Sequence, residues 1–424
     1  MSDQQLAHVL ERAAQLDADD HLAVYRELFV GVDAAAEGGA AASADVVVSY
    51  LDGNSLGRPL KTVGPLLAAF VEGAWGGRLI RGWDEQWMRL PTLIADELAA
   101  ACLGAASGQT LIGDSTTVLL YKMLRACAAA RPDRTEIVVD TDNFPTDRYL
   151  VEGIAAERGL TVRWITTAPD SGLTTDQLAA AVGPQTAVVL VSHVAYRSGY
   201  LTDLAELTSI AHEAGALVVW DLCHSVGSVP LELDAANVDV AVGCTYKYLN
   251  GGPGSPAFVY VRRDLQGELR QPVQGWFGHA DPFAMGPGYE PAAGMARFQS
   301  GTPPVIGMLA MREMIALIGQ AGIHSVRAKS VALTEFTIEL TDELLTPLGV
   351  VITSPQDAGR RGSHVTLDHP EFRRVVAELW QQGVLPDFRA PFGLRVGLSP
   401  LSTSFTELAT GLLAVRAALQ SPAG

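Results

Sequence analysis

The sequence predicts an α/β fold: a large lobe built on a mainly parallel sheet, joined to a smaller α+β lobe. Two observations carry this. Between about residues 60 and 265, short β-branched runs (Glu136-Ile137-Val138-Val139, Ala187-Val188-Val189-Leu190-Val191, Leu217-Val218-Val219-Trp220) alternate with helical patterns such as Pro145 to Arg158 and Asp203 to Ala214. The chain has 424 residues, 48% of them hydrophobic, enough for a large core and more than one lobe. Its 42 glycines and 23 prolines suit a fold with many tight turns.

In chain order, residues 3–16 carry apolar side chains at Leu6, Val9, Leu10, Ala13 and Leu16, a helical spacing. Ala34 to Ala44 is a small-residue connection. The alternating region then runs to about residue 265. After Pro303-Pro304 one long helical stretch passes through Met308, Leu309, Met311 and Met314. Beyond it lie two short strands, Val350 to Thr353 and His364 to Leu367, and helical patterns at 370–382 and 403–419. The resulting division is an N-terminal helical segment, 1–60, contributing to the small domain; a large domain, 61–305; and a C-terminal small domain, 306–424. An active site is expected between the lobes.

The net charge of -17 argues against non-specific nucleic-acid binding, which calls for a basic face. Met1 to Gln5 shows no basic segment followed by an apolar stretch, so no signal peptide is expected. No run of 18 apolar residues suggests a membrane span. Cys102, Cys127, Cys223 and Cys244 form no CxxC pair, which disfavours a zinc site or disulfide framework and fits the reducing cytoplasm.

The chemistry concentrates at two strand ends. Ala216-Leu217-Val218-Val219-Trp220 closes in Asp221, and Val238-Asp239-Val240-Ala241-Val242 leads to Cys244-Thr245-Tyr246-Lys247-Tyr248. A carboxylate after one strand and an amine after the next is what pyridoxal 5'-phosphate (PLP) requires: the lysine binds the aldehyde as a Schiff base, and the aspartate pairs with the pyridinium nitrogen. Asp221 needs a partner in any case, whether a backbone group or a cation, because it closes a buried strand. His224 either packs beside the ring or satisfies its loop.

Asp114-Ser115-Thr116-Thr117 follows the strand Thr110 to Gly113 and opens a helix, where free N–H groups suit a phosphate; an ordinary Ser/Thr N-cap is the simpler reading. Asn143-Phe144-Pro145-Thr146-Asp147 also lies between strand and helix. It is either a helix start with Pro in the first turn, or a site with Phe144 flat on a planar ring and Thr146 and Asp147 facing it. Gly251-Gly252-Pro253-Gly254 lacks the GK[ST] ending of a nucleotide loop and reads as a tight turn. Arg395, within the apolar run Phe392 to Leu398, is either a structural salt bridge or a two-pronged clamp for a substrate carboxylate.

With these pieces in place, the chain from about residue 50 resembles the kynureninases, which are fold-type-I PLP enzymes related to the class-V aminotransferases. The resemblance rests on Tyr50-Leu51-Asp52-Gly53-Asn54-Ser55-Leu56-Gly57, Asn143 to Asp147, the Asp221 segment and Cys244 to Gly254. It continues in Gly275-Trp276-Phe277-Gly278-His279, Gly301-Thr302-Pro303 and Arg361-Gly362-Ser363-His364.

It implies a PLP cofactor with Lys247 as Schiff-base lysine, and Tyr246 touching the phosphate and moving protons. Thr116 and Thr117 would hold the phosphate, and Phe144 would stack on the ring. Thr146, Asp147 and Ser192 would line the cofactor. Asp221 would pair with the pyridine nitrogen, with His224 close by, and Arg395 would take the substrate carboxylate. Trp276 and Thr302 would reach the site from a neighbouring subunit, which implies a homodimer, and Trp83 would pack on the substrate's aryl ring. The implied reaction is hydrolytic Cβ–Cγ cleavage of L-kynurenine to anthranilate and L-alanine, in tryptophan catabolism and NAD biosynthesis.

Thr302 resembles bacterial members that prefer unhydroxylated kynurenine. Ser402, where relatives carry an aromatic residue, and the segment Trp75 to Arg78 depart from the pattern and leave open a 3-hydroxy- or ring-modified kynurenine. The same fold also serves aminotransferases and cysteine desulfurases. A desulfurase needs a reactive thiol late in the chain, and no cysteine follows Cys244.

Overall fold

The computed structural model describes residues 3–32 and 46–421. The connection Ala34 to Ala44 lies outside the described residues. The described residues form two sheets, with strands numbered in chain order. A short β1, Ser49–Leu51, belongs to the smaller sheet. The larger sheet has seven strands: β2 (Thr110–Gly113), β3 (Glu136–Asp140), β4 (Thr161–Ile165), β5 (Thr186–Ser192), β6 (Leu217–Asp221), β7 (Val240–Gly243) and β8 (Ala257–Val261). Their order is β2-β8-β7-β6-β5-β3-β4. All neighbours from β7 to β4 are parallel, whereas β8 runs antiparallel to both β7 and β2.

The apolar runs of the sequence are the central strands. β6, β7 and β8 are buried at every residue, because helices cover both faces of the sheet. Each fully buried Val or Leu there contributes about 1.5–3 kcal/mol. At the edge, β4 is exposed at Thr161, Arg163 and Trp164, so it carries no comparable apolar run. Strand order reverses between β3 and β5, since β4 lies outside β3 while β6 and β7 follow on the other side. In sheets of this kind ligands bind beyond the carboxyl ends of the strands near such a reversal. Asp140, Ser192 and Asp221 end β3, β5 and β6.

The smaller sheet is completed by β9 (Val351–Ile352), β10 (His364–Asp368), β11 (Val384–Arg389) and β12 (Gly393–Gly397), in the order β1-β11-β12-β10-β9. Helices Asp3–Ala18, Ile323–Leu344, Phe372–Trp380 and Phe405–Gln420 share a core with it through Val9, Leu333, Phe372, Val396 and Leu408. The N-terminal helix is tied there by Asp17, whose carboxylate accepts the Phe405 and Thr406 N–H groups at 2.7 and 2.9 Å.

The helical stretch expected after Pro303-Pro304 is two helices, Val305–Ala321 and Ile323–Leu344, bent by 88°. Gly322 makes the corner with φ +80, a conformation that side chains on Cβ disfavour. No single described helix is long and apolar enough to cross a membrane. Residues 63–103 add features that sequence periodicity did not show. Three π-helical turns, Phe70–Gly77, Trp83–Trp87 and Ala99–Leu103, lie in or beside the helices Val63–Ala69 and Leu90–Leu98. One of them turns Trp83 edge-on to Trp87, with ring centroids 5.3 Å apart.

Candidate active site

Lys247 lies in the turn four residues beyond β7 and is buried. Its Nζ is 3.2 Å from His224 Nε2 and lies 5.8 Å from the ring centre of Phe144 and 5.9 Å from that of Tyr246. The turn is held from the N-terminal motif: the Gly57 N–H donates to the Tyr246 carbonyl at 2.9 Å. A Cβ at Gly57 would come within 2.4 Å of the Lys247 carbonyl, so the Asp52–Gly57 motif needs its glycine for this approach.

Asp221 holds its loop as well as facing the site. Its Oδ1 accepts the Cys223 N–H at 2.8 Å. The Ser192 hydroxyl lies 3.0 Å from Asn143 Oδ1 and 3.4 Å from Asp221 Oδ2, so one proton serves two acceptors. Asn143 in turn donates to Asp140 Oδ2 at 3.1 Å and accepts the Phe144 N–H at 2.8 Å, which fixes the corner that carries Phe144. Phe144 meets Tyr196 edge-on, with centroids 5.4 Å apart. Asp147, in the first turn of the helix Pro145–Arg158, is buried, and its Oδ2 has no partner. Burial first, and then the charge of Asp221, holds its carboxyl well above the usual range, while Lys247 opposes the shift.

The helix Thr116–Ala129 is capped by Ser115, whose Oγ accepts the Val118 N–H at 3.4 Å. That settles the simpler reading of Ser115, and it leaves the first-turn N–H groups at Thr116 and Thr117 pointing outward, as an anion requires. Thr116 Oγ1 is 4.0 Å from Cys223 Sγ, which places the helix start against the Asp221–His224 loop. Ser115 and Tyr246 line one cleft of about 480 Å³ together with Thr302. Burial raises the Tyr246 phenol, and the neighbouring thiols and Asp221 add to the shift, so it stays protonated and can donate. His224 is pushed the other way, well below its usual value, first by burial and then by the charge of Lys247; its imidazole is neutral.

Arg395 is not a free fork. Its Nε donates to Asp387 Oδ2 at 2.7 Å, Nη2 reaches the same oxygen at 2.6 Å and Ser55 Oγ at 2.9 Å, and Nη1 donates to the Tyr196 carbonyl at 2.7 Å. Arg389 Nε lies 2.8 Å from the same Asp387 oxygen without the alignment of a hydrogen bond. The structural salt bridge weighed from sequence is therefore present. Of the five N–H groups of the guanidinium, one on Nη1 is left for another acceptor.

Trp83 and Thr302 line a second, almost wholly apolar cavity of about 500 Å³, with Phe70, Trp75, Trp87 and Pro304. This cavity lies beside the Lys247 group rather than at it. Trp276 is exposed and packs against Phe277 and Phe283; Phe277 in turn reaches Trp83, with centroids 6.3 Å apart. Within one chain, the structure brings together Lys247, Tyr246, His224, Asp221, Ser192, Phe144 and Asp147, and places Thr116 against them. Thr146 is half-buried on the adjoining turn. Trp83 and Thr302 line the neighbouring apolar cavity, and Trp276 connects to Trp83 through Phe277.

Sequence reasoning missed Asp387, whose pairing opposite Arg395 depends on the β11–β12 register. It quoted His364 without a role. It also missed Lys122, fully buried, which donates to Asp114 Oδ2 at 3.0 Å, to Ser300 Oγ at 2.9 Å and to the Phe298 carbonyl. Lys122 thereby ties the segment 298–300, which leads to Thr302, to Asp114 at the start of the helix Thr116–Ala129.

The donor set suits PLP. It combines an amine, a strand-end carboxylate, an aromatic ring beside the amine, an outward-facing helix N-terminus and an orphaned buried carboxylate oxygen. A family model described as Aminotransferase class-V matches residues 95–384, so the chain is a class-V aminotransferase-type protein. It is also 42% identical over 401 residues to a kynureninase from Pseudomonas fluorescens, covering 93% of this chain and 91% of that one. A kynureninase from Burkholderia pseudomallei is 40% identical over 405 residues, covering 94% and 92%. The chain belongs to the kynureninase family.

Among solved structures, an apo cysteine desulfurase from Thermococcus onnurineus superposes with a TM-score of 0.76 at 19% identity, covering 87% of this chain and 94% of that one. A C-DES mutant with glycine covalently linked to its PLP cofactor gives 0.76 at 20%, covering 87% and 96%. At that identity the likeness establishes the fold, which is that of the fold-type-I PLP enzymes.

Proposed function

We propose that the chain hydrolyses the Cβ–Cγ bond of L-kynurenine, releasing anthranilate and L-alanine, with PLP bound at Lys247. The observation that carries this is the Lys247 amine, buried beside a neutral His224 and Phe144 and opposite Asp221, in a chain 42% identical to a curated kynureninase. When bound, the cofactor supplies an electron sink for the bonds around the substrate's Cα and Cβ. Asp221 would hold the pyridine nitrogen protonated, Phe144 would cover the ring, and Thr146, Asp147 and Ser192 would line it. The N–H groups at Thr116 and Thr117, with the Tyr246 hydroxyl, would hold the phosphate.

Lys247 is the group that moves a proton at Cα, because no other buried amine adjoins Asp221 among the described residues. Tyr246, kept protonated, donates to oxygen at the γ-carbon when water adds there. Arg395 orients the substrate carboxylate with its remaining Nη1 proton, while Asp387 holds the guanidinium plane still. Positioning of this kind is worth about 7–11 kcal/mol of barrier in favourable cases.

Domain division at 60 and 305 puts the cofactor groups in the large lobe and Arg395 in the small one. Two copies would complete the site, with Trp276 and Thr302 of each facing the other's Lys247. The cytoplasm is the natural compartment for four buried free cysteines, and tryptophan catabolism leading to NAD is the pathway such a reaction serves. The nearly apolar lining around Trp83 and Thr302 favours an unhydroxylated aryl ring.

The test is kcat/KM for kynurenine and 3-hydroxykynurenine, following release of the aromatic amine. Kynurenine should be preferred by about tenfold, the value of one unpaired polar group. Preference for the hydroxylated substrate would overturn the specificity. Accumulation of pyridoxamine phosphate with no aromatic product would replace the reaction with transamination.

A further inference from the structure

His364, in β10, is fully buried, and neither Nδ1 nor Nε2 makes a well-formed hydrogen bond, although the Arg197 backbone lies within reach of the ring. Buried polar atoms are seldom left so without water or a ligand. The Arg197 backbone lies beside the ring and favours a proton there, while burial and the charge of Arg395 keep the imidazole neutral, at about 3. Gly199 turns past it in the left-handed region (φ +74). A Cβ there would come within 3.3 Å of His364 Nε2 and 2.8 Å of its carbonyl oxygen, so glycine leaves the ring unobstructed.

The ring His364 faces is His224, with centroids 5.8 Å apart and planes at 55°. No direct hydrogen bond joins the two, and a water held between a nitrogen of each ring would satisfy both. His224 carries the second observation. An ammonium only donates, so His224 Nε2 must accept from Lys247, and the proton of a neutral imidazole then sits on Nδ1. His224 has no other hydrogen bond among the described residues, and its Nδ1 is not among the fully enclosed atoms, so the acceptor of the Nδ1–H is a water.

We propose that His364 is a positioning residue: it holds a water that accepts the His224 Nδ1–H, fixing the tautomer in which Nε2 faces Lys247. Which nitrogen of a histidine carries the proton is set by the hydrogen bond its other nitrogen makes. His364 thus determines whether the ammonium of Lys247 meets an acceptor or a competing N–H. The inference rests on Lys247 being the reactive amine.

Two readouts test it. In the full-length chain labelled with ¹⁵N-histidine, before cofactor is added, His224 should show the Nδ1–H tautomer. His364→Phe, which keeps ring shape and removes both nitrogens, should mix the tautomers, and His364→Gln should largely retain the wild-type pattern. In the holoenzyme, His364→Phe should lower kcat by about tenfold or more with KM within about threefold, and His364→Gln should recover most of the loss. An Nε2–H tautomer in the wild-type chain overturns the proposal even if the phenylalanine variant does not fold. So does a folded His364→Phe with unchanged tautomer and kcat. Wild-type holoenzyme inert toward kynurenine would sink the proposed reaction and leave the tautomer result to be read by itself.

Discussion

Two lysines are buried in the large lobe, and their surroundings differ in one respect. Lys122 has a carboxylate, a hydroxyl and a carbonyl, one acceptor for each ammonium proton. Lys247 has one neutral imidazole nitrogen. Burial alone therefore does not mark a reactive amine. A saturated lysine is a strut between a helix and a loop, whereas an unsaturated one keeps its amine open to the bond proposed for Lys247. Carboxylates divide in the same way: Asp114 is answered by Lys122 and Ser300, whereas Asp147 Oδ2 is unanswered.

The sharpest way to break this contrast is to remove each amine in turn. Lys247→Ala should reduce anthranilate release to background while leaving the melting temperature within a few degrees, since only one hydrogen bond is lost. Ordinary kcat in that variant would reject the role of Lys247. Lys122→Met should do the reverse. Removing one partner of a buried pair costs about 3–5 kcal/mol, and because Asp114 keeps some solvent access we expect about 2 kcal/mol, read in urea unfolding, with measurable turnover retained. Unchanged stability would show that the strut carries no load.

The smallest effect concerns Asp140, which is buried among hydrogen-bond donors with no ion-pair partner among the described residues and is pushed up to about 6 by burial. Its ordinary value is 3.8, so the folded chain takes up the proton first as pH falls, and stability lost on ionisation returns between about 6 and 4. Asp140→Asn is neutral throughout. Its melting temperature relative to wild type should be higher by a few degrees more at about pH 7.5 than at about pH 5. An identical offset at both values would mean that Asp140 is not a raised carboxyl.

Much of this site was legible because its residues sit where a pattern stops. Asp221 ends an apolar run, Lys247 follows the next, and Pro145 opens a helix at the residue after Phe144. Each is a local signal. Asp387 was not legible, since its meaning depends on lying across from Arg395 in a two-strand register more than 300 residues from its Ser55 neighbour. His364 was hidden because an unpartnered nitrogen is a property of surroundings, not of spacing. The π-helical turns around Trp83 escaped because their wider turn does not follow the 3.6-residue period. The edge strand β4 escaped because its exposed residues carry no continuous apolar run.

One feature of the N-terminal segment bears on how the molecule comes into being. β1 pairs with β11, Asn54 crowds Gly397, and Arg58 and the Tyr50 N–H both reach Glu407. The segment that buttresses the lysine turn is thus synthesised first and docked last. Until residues near 407 leave the ribosome, Gly57 has no platform from which to grip Tyr246. Sequence separations this long slow folding, so nascent chains should gain cofactor affinity only after residues near 407 have emerged, in a single late step.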